Sequence, residues 1–164
     1  MNPAYGKYHY DGHRNCNIVL KPDETRKLNG ICPVCKKGLT IGVDYRINEL
    51  AKHEHGYKPD NAKNYHEMIP LSELIAAVYN ISQLSSKKIW EVYNKLINAF
   101  GNEFNILLNI SYDDLARVVD KKLADVIMMN RENKLEINPG YDGVYGKIIV
   151  KEKISGNQKS LMDF

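Results

Sequence analysis

An α+β fold is predicted for this chain of 164 residues: a small zinc-ribbon or knuckle unit, then a mainly helical domain closed by a terminal β-hairpin. Three observations carry the prediction. His13-Arg14-Asn15-Cys16 and Cys32-Pro33-Val34-Cys35 repeat the same two-residue gap near the N-terminus. Apolar residues recur at helical spacing between positions 70 and 127. Two β-prone runs, 135–137 and 144–150, flank the turn-forming Asn138-Pro139-Gly140-Tyr141-Asp142-Gly143.

The elements follow in chain order. Residues 1–10 are polar and aromatic and are expected to be a linker; they lack the apolar stretch of a secretory signal. Residues 11–53 form the zinc-binding unit. Within it, 22–28 suits one or two helical turns, since Asp23 and Glu24 are favourable near a helix N-terminus. Residues 38–43 are predicted as a short strand and 46–53 as a short helix. The polar stretch 54–66 is expected to be a second linker. Residues 67–153 form the helical domain. Its first helix starts at Pro70 and shows Leu71, Leu74, Ile75 and Val78 on one face. The second starts at Ser85-Ser86, carries Ile89, Tyr93, Leu96, Ile97 and Phe100, and stops at Gly101. The third starts at Ser111, with Asp114 as its capping-box partner, and runs through Leu115, Val118, Val119, Leu123, Val126 and Ile127. These stripes are expected to be core rather than a cofactor box. Residues 154–164 are expected to be a flexible tail.

Composition excludes several classes. Hydrophobic residues make up 43% and charged residues 26%, which fits a globular chain. No apolar run reaches the ~18 residues of a membrane span, so a soluble, cytoplasmic protein is expected. Net charge is only +3, but residues 1–65 hold 11 Lys and Arg against 7 Asp and Glu, while the remainder holds 12 against 13. The first part also holds four of the five histidines. Such a basic patch suits phosphates without requiring them. No GxxxxGK[ST], GxSxG or HExxH is present, and the chain is read as non-catalytic by itself.

Three cysteines argue against a disulfide framework. Two thiolates on a tight turn, preceded by HxxC, supply the four N or S ligands that tetrahedral zinc takes. One structural zinc ion is therefore expected on Cys16, Cys32, Cys35 and His13, with His9, His53 and His55 as rivals for the fourth place. The competing reading is a redox CxxC with Cys16 as a buried thiol; no βαβ pattern around the motif supports it. In Pro139-Gly140-Tyr141-Asp142-Gly143-Val144-Tyr145-Gly146, three glycines spaced by three either free backbone amides for a phosphate or form a plain hairpin loop with core tyrosines. Finally, Gln158-Lys159-Ser160-Leu161-Met162-Asp163-Phe164 is QxxLxxF after a Ser-Gly-Asn tether. Gln158 can hydrogen-bond into a polar pocket, Leu161 and Phe164 fall on one side of a single 3₁₀ turn, and the three look like a sliding-clamp-binding peptide, for PCNA or the bacterial β clamp.

Tyr8-His9-Tyr10-Asp11-Gly12-His13-Arg14-Asn15-Cys16, Cys32-Pro33-Val34-Cys35, Leu39-Thr40-Ile41-Gly42-Val43 and the motif from Pro139 to Gly146 together resemble the C-terminal half of the endonuclease Q family. Members of that family cleave DNA 5′ to deaminated bases and abasic sites. They carry an N-terminal PHP metal-dependent hydrolase domain, then zinc-binding and helical domains. The resemblance covers nearly all of this chain and leaves the PHP domain, with its catalytic metals, outside it. It implies a non-catalytic DNA-repair module that recognises deaminated or abasic DNA and is tethered to the clamp, either the C-terminal piece of a split or truncated enzyme, its PHP nuclease then acting in trans, or a free-standing DNA-binding relative. Arg14, Lys36, Lys37 and Arg46, with Tyr141 and Tyr145, are the expected DNA contacts. The alternative is a zinc-ribbon adaptor that binds protein or RNA with no lesion role.

Overall fold

The computed structural model describes residues 2–54 and 56–150. It is α+β: among these residues lie seven α-helices and two antiparallel two-stranded hairpins. The chain begins with a 3₁₀ turn at Pro3–Tyr5, then β1 (Asp11–His13), a second 3₁₀ turn at Arg14–Cys16, and β2 (Ile18–Leu20). Helices α1 (Pro22–Lys27) and α2 (Val43–Leu50) complete the small N-terminal unit. Helices α3 (Leu71–Val78), α4 (Lys87–Phe100), α5 (Glu103–Leu108), α6 (Tyr112–Val118) and α7 (Lys121–Arg131) form the helical part, followed by β3 (Glu136–Asn138) and β4 (Lys147–Ile149). Asp11 pairs with Leu20 in the first hairpin and Glu136 with Ile149 in the second.

The apolar core belongs to the helical part. Ile69, Leu71, Leu74, Ile75, Ile89, Leu96, Ile106, Leu115, Leu123 and Ile127 are fully buried in it. Helix α3 is central, packing on α4, on α7 and on β4. Polar groups lock the frame. The buried Asn130 side chain accepts from the Ile69 amide (3.0 Å) and donates to the Ile69 carbonyl (3.2 Å), fixing the entry to α3. Glu103 accepts from the Leu71 amide (2.7 Å) and from the Tyr93 hydroxyl (2.9 Å). The Arg131 guanidinium donates to the carbonyls of Ile106 and Leu107 in the last turn of α5 and to that of Ile110 just beyond it.

The structure differs from the sequence expectation at five places. The long third helix is two: Val119 turns extended, and the Asp120 side chain caps a new helix through the Leu123 amide (2.9 Å). A further helix, α5, fits between Gly101 and Asn109, capped by Asn102 on the Asn105 amide. The strand expected over 38–43 is reduced to two isolated bridges, Gly38 with Ile31 and Thr40 with Gly12, and beyond them the Gly42 amide turns aside to the buried Asp11 carboxylate (2.6 Å). Helix α2 starts three residues early, since Val43 and Asp44 donate to the carbonyls of Tyr8 and His9. Residues 3–10, expected to be a linker, are stitched to the glycine-rich segment near the C-terminus. Gly140 donates to Ala4 (2.9 Å), Gly146 to Tyr5 (3.1 Å), Gly143 to Lys7 (2.9 Å), and Tyr10 back to Gly140 (2.9 Å). The Tyr5 hydroxyl also reaches Glu73 on α3 (2.5 Å).

Candidate metal centre and nucleic-acid interface

The N-terminal unit buries little apolar surface; Cys32 and Leu39 are its buried hydrophobic residues among those described. What it gathers instead is four ligand-type side chains. His13 ends β1, Cys16 ends the adjoining 3₁₀ turn, and Cys32 and Cys35 flank a tight turn. In that turn the Cys32 amide donates to Lys37 (2.8 Å) and the Lys36 amide to Cys32 (3.0 Å), with Lys36 at φ 61°. The ligand atoms of His13, Cys16, Cys32 and Cys35 all lie within 4.8 Å of one another. Cys35 Sγ is 3.3 Å from His13 Nδ1.

The electrostatics suit a cation. Burial pushes the Cys32 thiol up, but the amides of Cys35 and Val34 and the His13 and Cys35 side chains outweigh it and bring the value down to about 6. Cys16 moves the other way, to about 11, through burial and through sharing its site with the other two thiols. Three thiols competing for protons in one small volume are relieved by a positive ion. The set could hold a metal ion, and its donors fit a tetrahedral soft-ligand site.

His9 is not in this group; it stacks on Tyr10 at 4.8 Å, and burial lowers its affinity for a proton. His53 stacks on Tyr57 at 3.9 Å. His55 lies outside the described residues, as do Gln158, Leu161 and Phe164.

A distant segment braces the ligand loop. The Asp142 carboxylate accepts from the Arg14 amide (2.6 Å) on one oxygen and from the Thr40 hydroxyl (2.6 Å) on the other. Burial raises the Asp142 carboxyl, and these two donors, with the Arg14 and His13 charges, bring it below its ordinary value. Asp142 was not among the expected site residues; no motif announces a carboxylate that acts from 126 residues beyond the first cysteine.

The glycine-rich segment serves this bracing. A Cβ on Gly140 would lie 2.2 Å from the Gly6 carbonyl, and one on Gly146 2.4 Å from that of Ala4. The amides of Gly140, Tyr141, Gly143, Val144 and Gly146 all donate to backbone carbonyls of the chain. The motif's amides are thus engaged within the chain, and its tyrosines are not core residues: Tyr145 is exposed and Tyr141 half-buried.

The six expected DNA contacts fall in three places. Arg14 and Tyr145 are exposed beside the glycine-rich turn. Tyr141 is half-buried: its ring packs against Gly12 and its hydroxyl donates to Asn17 (2.9 Å). Lys36 and Lys37 are exposed on the cysteine turn, with the Lys36 ammonium on the Pro33 carbonyl (3.0 Å). Arg46 is on α2, paired with Glu49 (2.8 Å). Among the described residues, no helix is long and apolar enough to cross a membrane.

Comparison with known proteins agrees with this architecture. Residues 70–134 match the family model of the MJ0043 C-terminal domain. Protein MJ0043 of Methanocaldococcus jannaschii is 33% identical over 153 residues, which is 92% of this chain and 19% of that protein. YqxK of Bacillus subtilis is 32% identical over 149 residues, 90% of this chain and 34% of that protein. The chain therefore spans about a fifth and about a third of these relatives. Among solved structures, the lesion-specific endonuclease Q of Pyrococcus furiosus superimposes with a TM-score of 0.81 at 32% identity, over 96% of this chain and 38% of that one. An endonuclease Q in complex with a 27-mer duplex carrying an abasic lesion gives 0.79, at 32% identity and over 96% of this chain and 39% of that one. Over nearly its whole length, then, this chain is built like one part, C-terminal in character, of the larger endonuclease Q.

Proposed function

We propose that this chain is a DNA-binding module of an endonuclease Q-like repair system, non-catalytic on its own and stapled by one structural zinc ion. The observation that carries the reading is its 96% coverage by the endonuclease Q solved on lesion-bearing duplex. Zinc is supported by the donor set: His13, Cys16, Cys32 and Cys35 offer three sulfurs and one imidazole, the soft set typical of structural zinc. When bound, the ion supplies cross-linking energy to a unit with little core of its own. The DNA surface comprises Arg14, Lys36, Lys37, Arg46 and Tyr145, with Tyr141 holding the turn in place.

Catalysis is assigned to a PHP nuclease partner, and tethering to a sliding clamp through Gln158, Leu161 and Phe164. Burying two apolar side chains there could contribute roughly 1.5–3 kcal/mol each, much of it spent on ordering the peptide. Tethering then acts mainly by raising local concentration at DNA carrying a clamp.

The test is binding of the purified chain to three duplexes of one sequence: intact, with an abasic site, and with a deoxyuridine or hypoxanthine. Tighter binding to damaged duplex, falling steeply with added salt, is expected. Undetectable binding to all of them at low salt overturns the reading. Removal of residues 158–164 is expected to abolish clamp binding and leave DNA affinity intact; equal clamp binding by the shortened chain overturns the tether.

A further inference from the structure

We infer that an apolar stripe on α2, made of Val43, Ile47 and Leu50, docks this module onto the nuclease part of the endonuclease Q-like system by lying in an apolar groove of that partner. The inference rests on the reading above, which assigns catalysis to a partner, and it gives that partner a place on the surface.

Helix α2 has 8 residues and buries none of them. Val43, Ile47 and Leu50 are 55%, 54% and 63% exposed, and Ile41, just before the helix, is 47% exposed. At positions i, i+4 and i+7 the three fall on one line of the helix surface. The opposite face meets the module, through polar and aromatic groups. The Arg26 guanidinium on α1 donates to the Asn48 side chain (3.0 Å) and lies 5.0 Å from the centre of the Tyr45 ring. The start of the helix is held by backbone, with Val43 donating to Tyr8 (2.8 Å) and Asp44 to His9 (3.0 Å). Arg46 and Glu49, paired at 2.8 Å, flank the stripe on one side.

The direction of the stripe is the informative point. The N-terminal unit has little to bury, with Cys32 and Leu39 its buried hydrophobics among the described residues. Turning α2 about its axis would add three more. Instead the helix sets Tyr45 and Asn48 against α1 and keeps its aliphatic residues outside. A contiguous apolar face beside polar residues marks an interaction surface. Anchors at i, i+4 and i+7 are how an amphipathic helix fills a groove. Two facts select the occupant. The chain matches 38% and 39% of the two solved endonuclease Q chains, so the larger share of each is a body that this chain does not contain. A second copy, stripe against stripe, would bury a single line of side chains, far short of the ~800 Å² per partner of a stable dimer. A groove on a larger body encloses the same helix on three sides, and the Arg46–Glu49 pair supplies a polar rim.

The experiment is calorimetric titration of the full chain into Pyrococcus furiosus endonuclease Q shortened by the region that this chain matches, with the folding of the shortened enzyme checked by circular dichroism. Binding is expected with the negative heat-capacity change of apolar burial and with little dependence on salt, unlike binding to DNA. Ile47→Glu and Leu50→Glu should each weaken it about ten-fold or more. Both side chains are exposed, so the melting temperature of the free chain and its affinity for an abasic-site duplex should not change. Ile47→Leu should keep binding within about two-fold, since the groove needs only an aliphatic group of that size. A chimera covers the case of a shortened enzyme that does not fold. With this chain in place of the matched region, the enzyme should melt in one transition, and Ile47→Glu should split it in two. Equal binding by the Glu variants, no binding by the parent chain, or a chimera indifferent to Ile47→Glu overturns the docking face and leaves the DNA reading standing. Docking by a chain that binds no DNA overturns the DNA reading and leaves the face. A chain that sediments as a dimer, and as a monomer after Ile47→Glu, overturns the nuclease as occupant in favour of a second copy.

Discussion

Asp142 and Arg14, 128 positions apart in sequence, are joined by a 2.6 Å hydrogen bond from the Arg14 amide to a carboxylate oxygen. That bond sits one residue from a candidate metal ligand, His13, and two from another, Cys16. With the Thr40 hydroxyl on its second oxygen, Asp142 ties the 3₁₀ turn that carries Cys16 and the segment after Cys35 to the glycine-rich turn.

Asp142→Ala should therefore act on two readouts at once. Two donors lose their acceptor, at a cost of about 1–3 kcal/mol of stability in denaturant titration. Metal affinity, measured by competition with a chelator, should fall roughly ten-fold, the low end for groups that orient ligands from behind.

Cys32→Ser removes the buried ligand of the set. Metal analysis should find about one zinc in the parent chain and none held tightly by the variant. The N-terminal unit should then lose protection from proteolysis while the helical circular dichroism largely remains, because the fully buried core around Leu74 and Ile127 is drawn from the helical part, with Tyr5 packed against its edge. Retention of a full metal equivalent by the variant would refute the assignment.

Gly140→Ala tests the close approach of residues 4–10 to residues 140–146. Its new Cβ would lie 2.2 Å from the Gly6 carbonyl and 2.6 Å from that of Val144, where only backbone can yield. A loss of roughly 1–3 kcal/mol is expected. Gly38→Ala, whose Cβ would meet nothing within 4 Å, should change stability by under ~0.5 kcal/mol and serves as the control.

Asp120 predicts a pH dependence in the helical part. Burial raises its carboxyl, but hydrogen bonds from the Tyr79 hydroxyl and the Leu123 amide outweigh this and hold it below the ordinary 3.8. A depressed value means that the ionised form stabilises the fold: the contribution is whole above that ordinary value and is lost as pH falls below it. Asp120→Asn keeps a capping side chain but not the charge. The variant should be less stable than the parent at neutral pH, and the gap should close in acid melts below about pH 4.

Much of the site was legible before any coordinates. The matched gaps of HxxC and CxxC put four ligands on two tight turns, a local feature that short-range geometry determines, and those four side chains converge. The stripes of α3 and α4 were legible for the same reason, each being one face of one helix bounded by Pro70, Ser86 and Gly101. The break at Val119 was not, because the apolar period runs unbroken from Leu115 to Ile127 and only the capping geometry of Asp120 interrupts it. Helix α5 is a six-residue piece whose start, Asn102, directly follows a stop signal. The role of residues 3–10 was hidden more deeply. A segment without periodicity reads as a linker unless its partner is known, and its partner lies some 135 residues away.

The stitch between Ala4–Tyr10 and Gly140–Gly146 sets the order in which the molecule is assembled. During synthesis the N-terminal segment leaves the ribosome first, yet the carbonyls it needs to satisfy have their donors in almost the last described turn. Local pieces such as α4 or the cysteine turn can form as they emerge. The seam between these two segments must wait for residues 140–146 and for the closure of a loop of some 135 residues, a slow kind of contact to make. Until then Tyr5, Tyr8 and Tyr10 stand open, and a nascent chain stalled before residue 140 holds its ligand loop without the Asp142 brace.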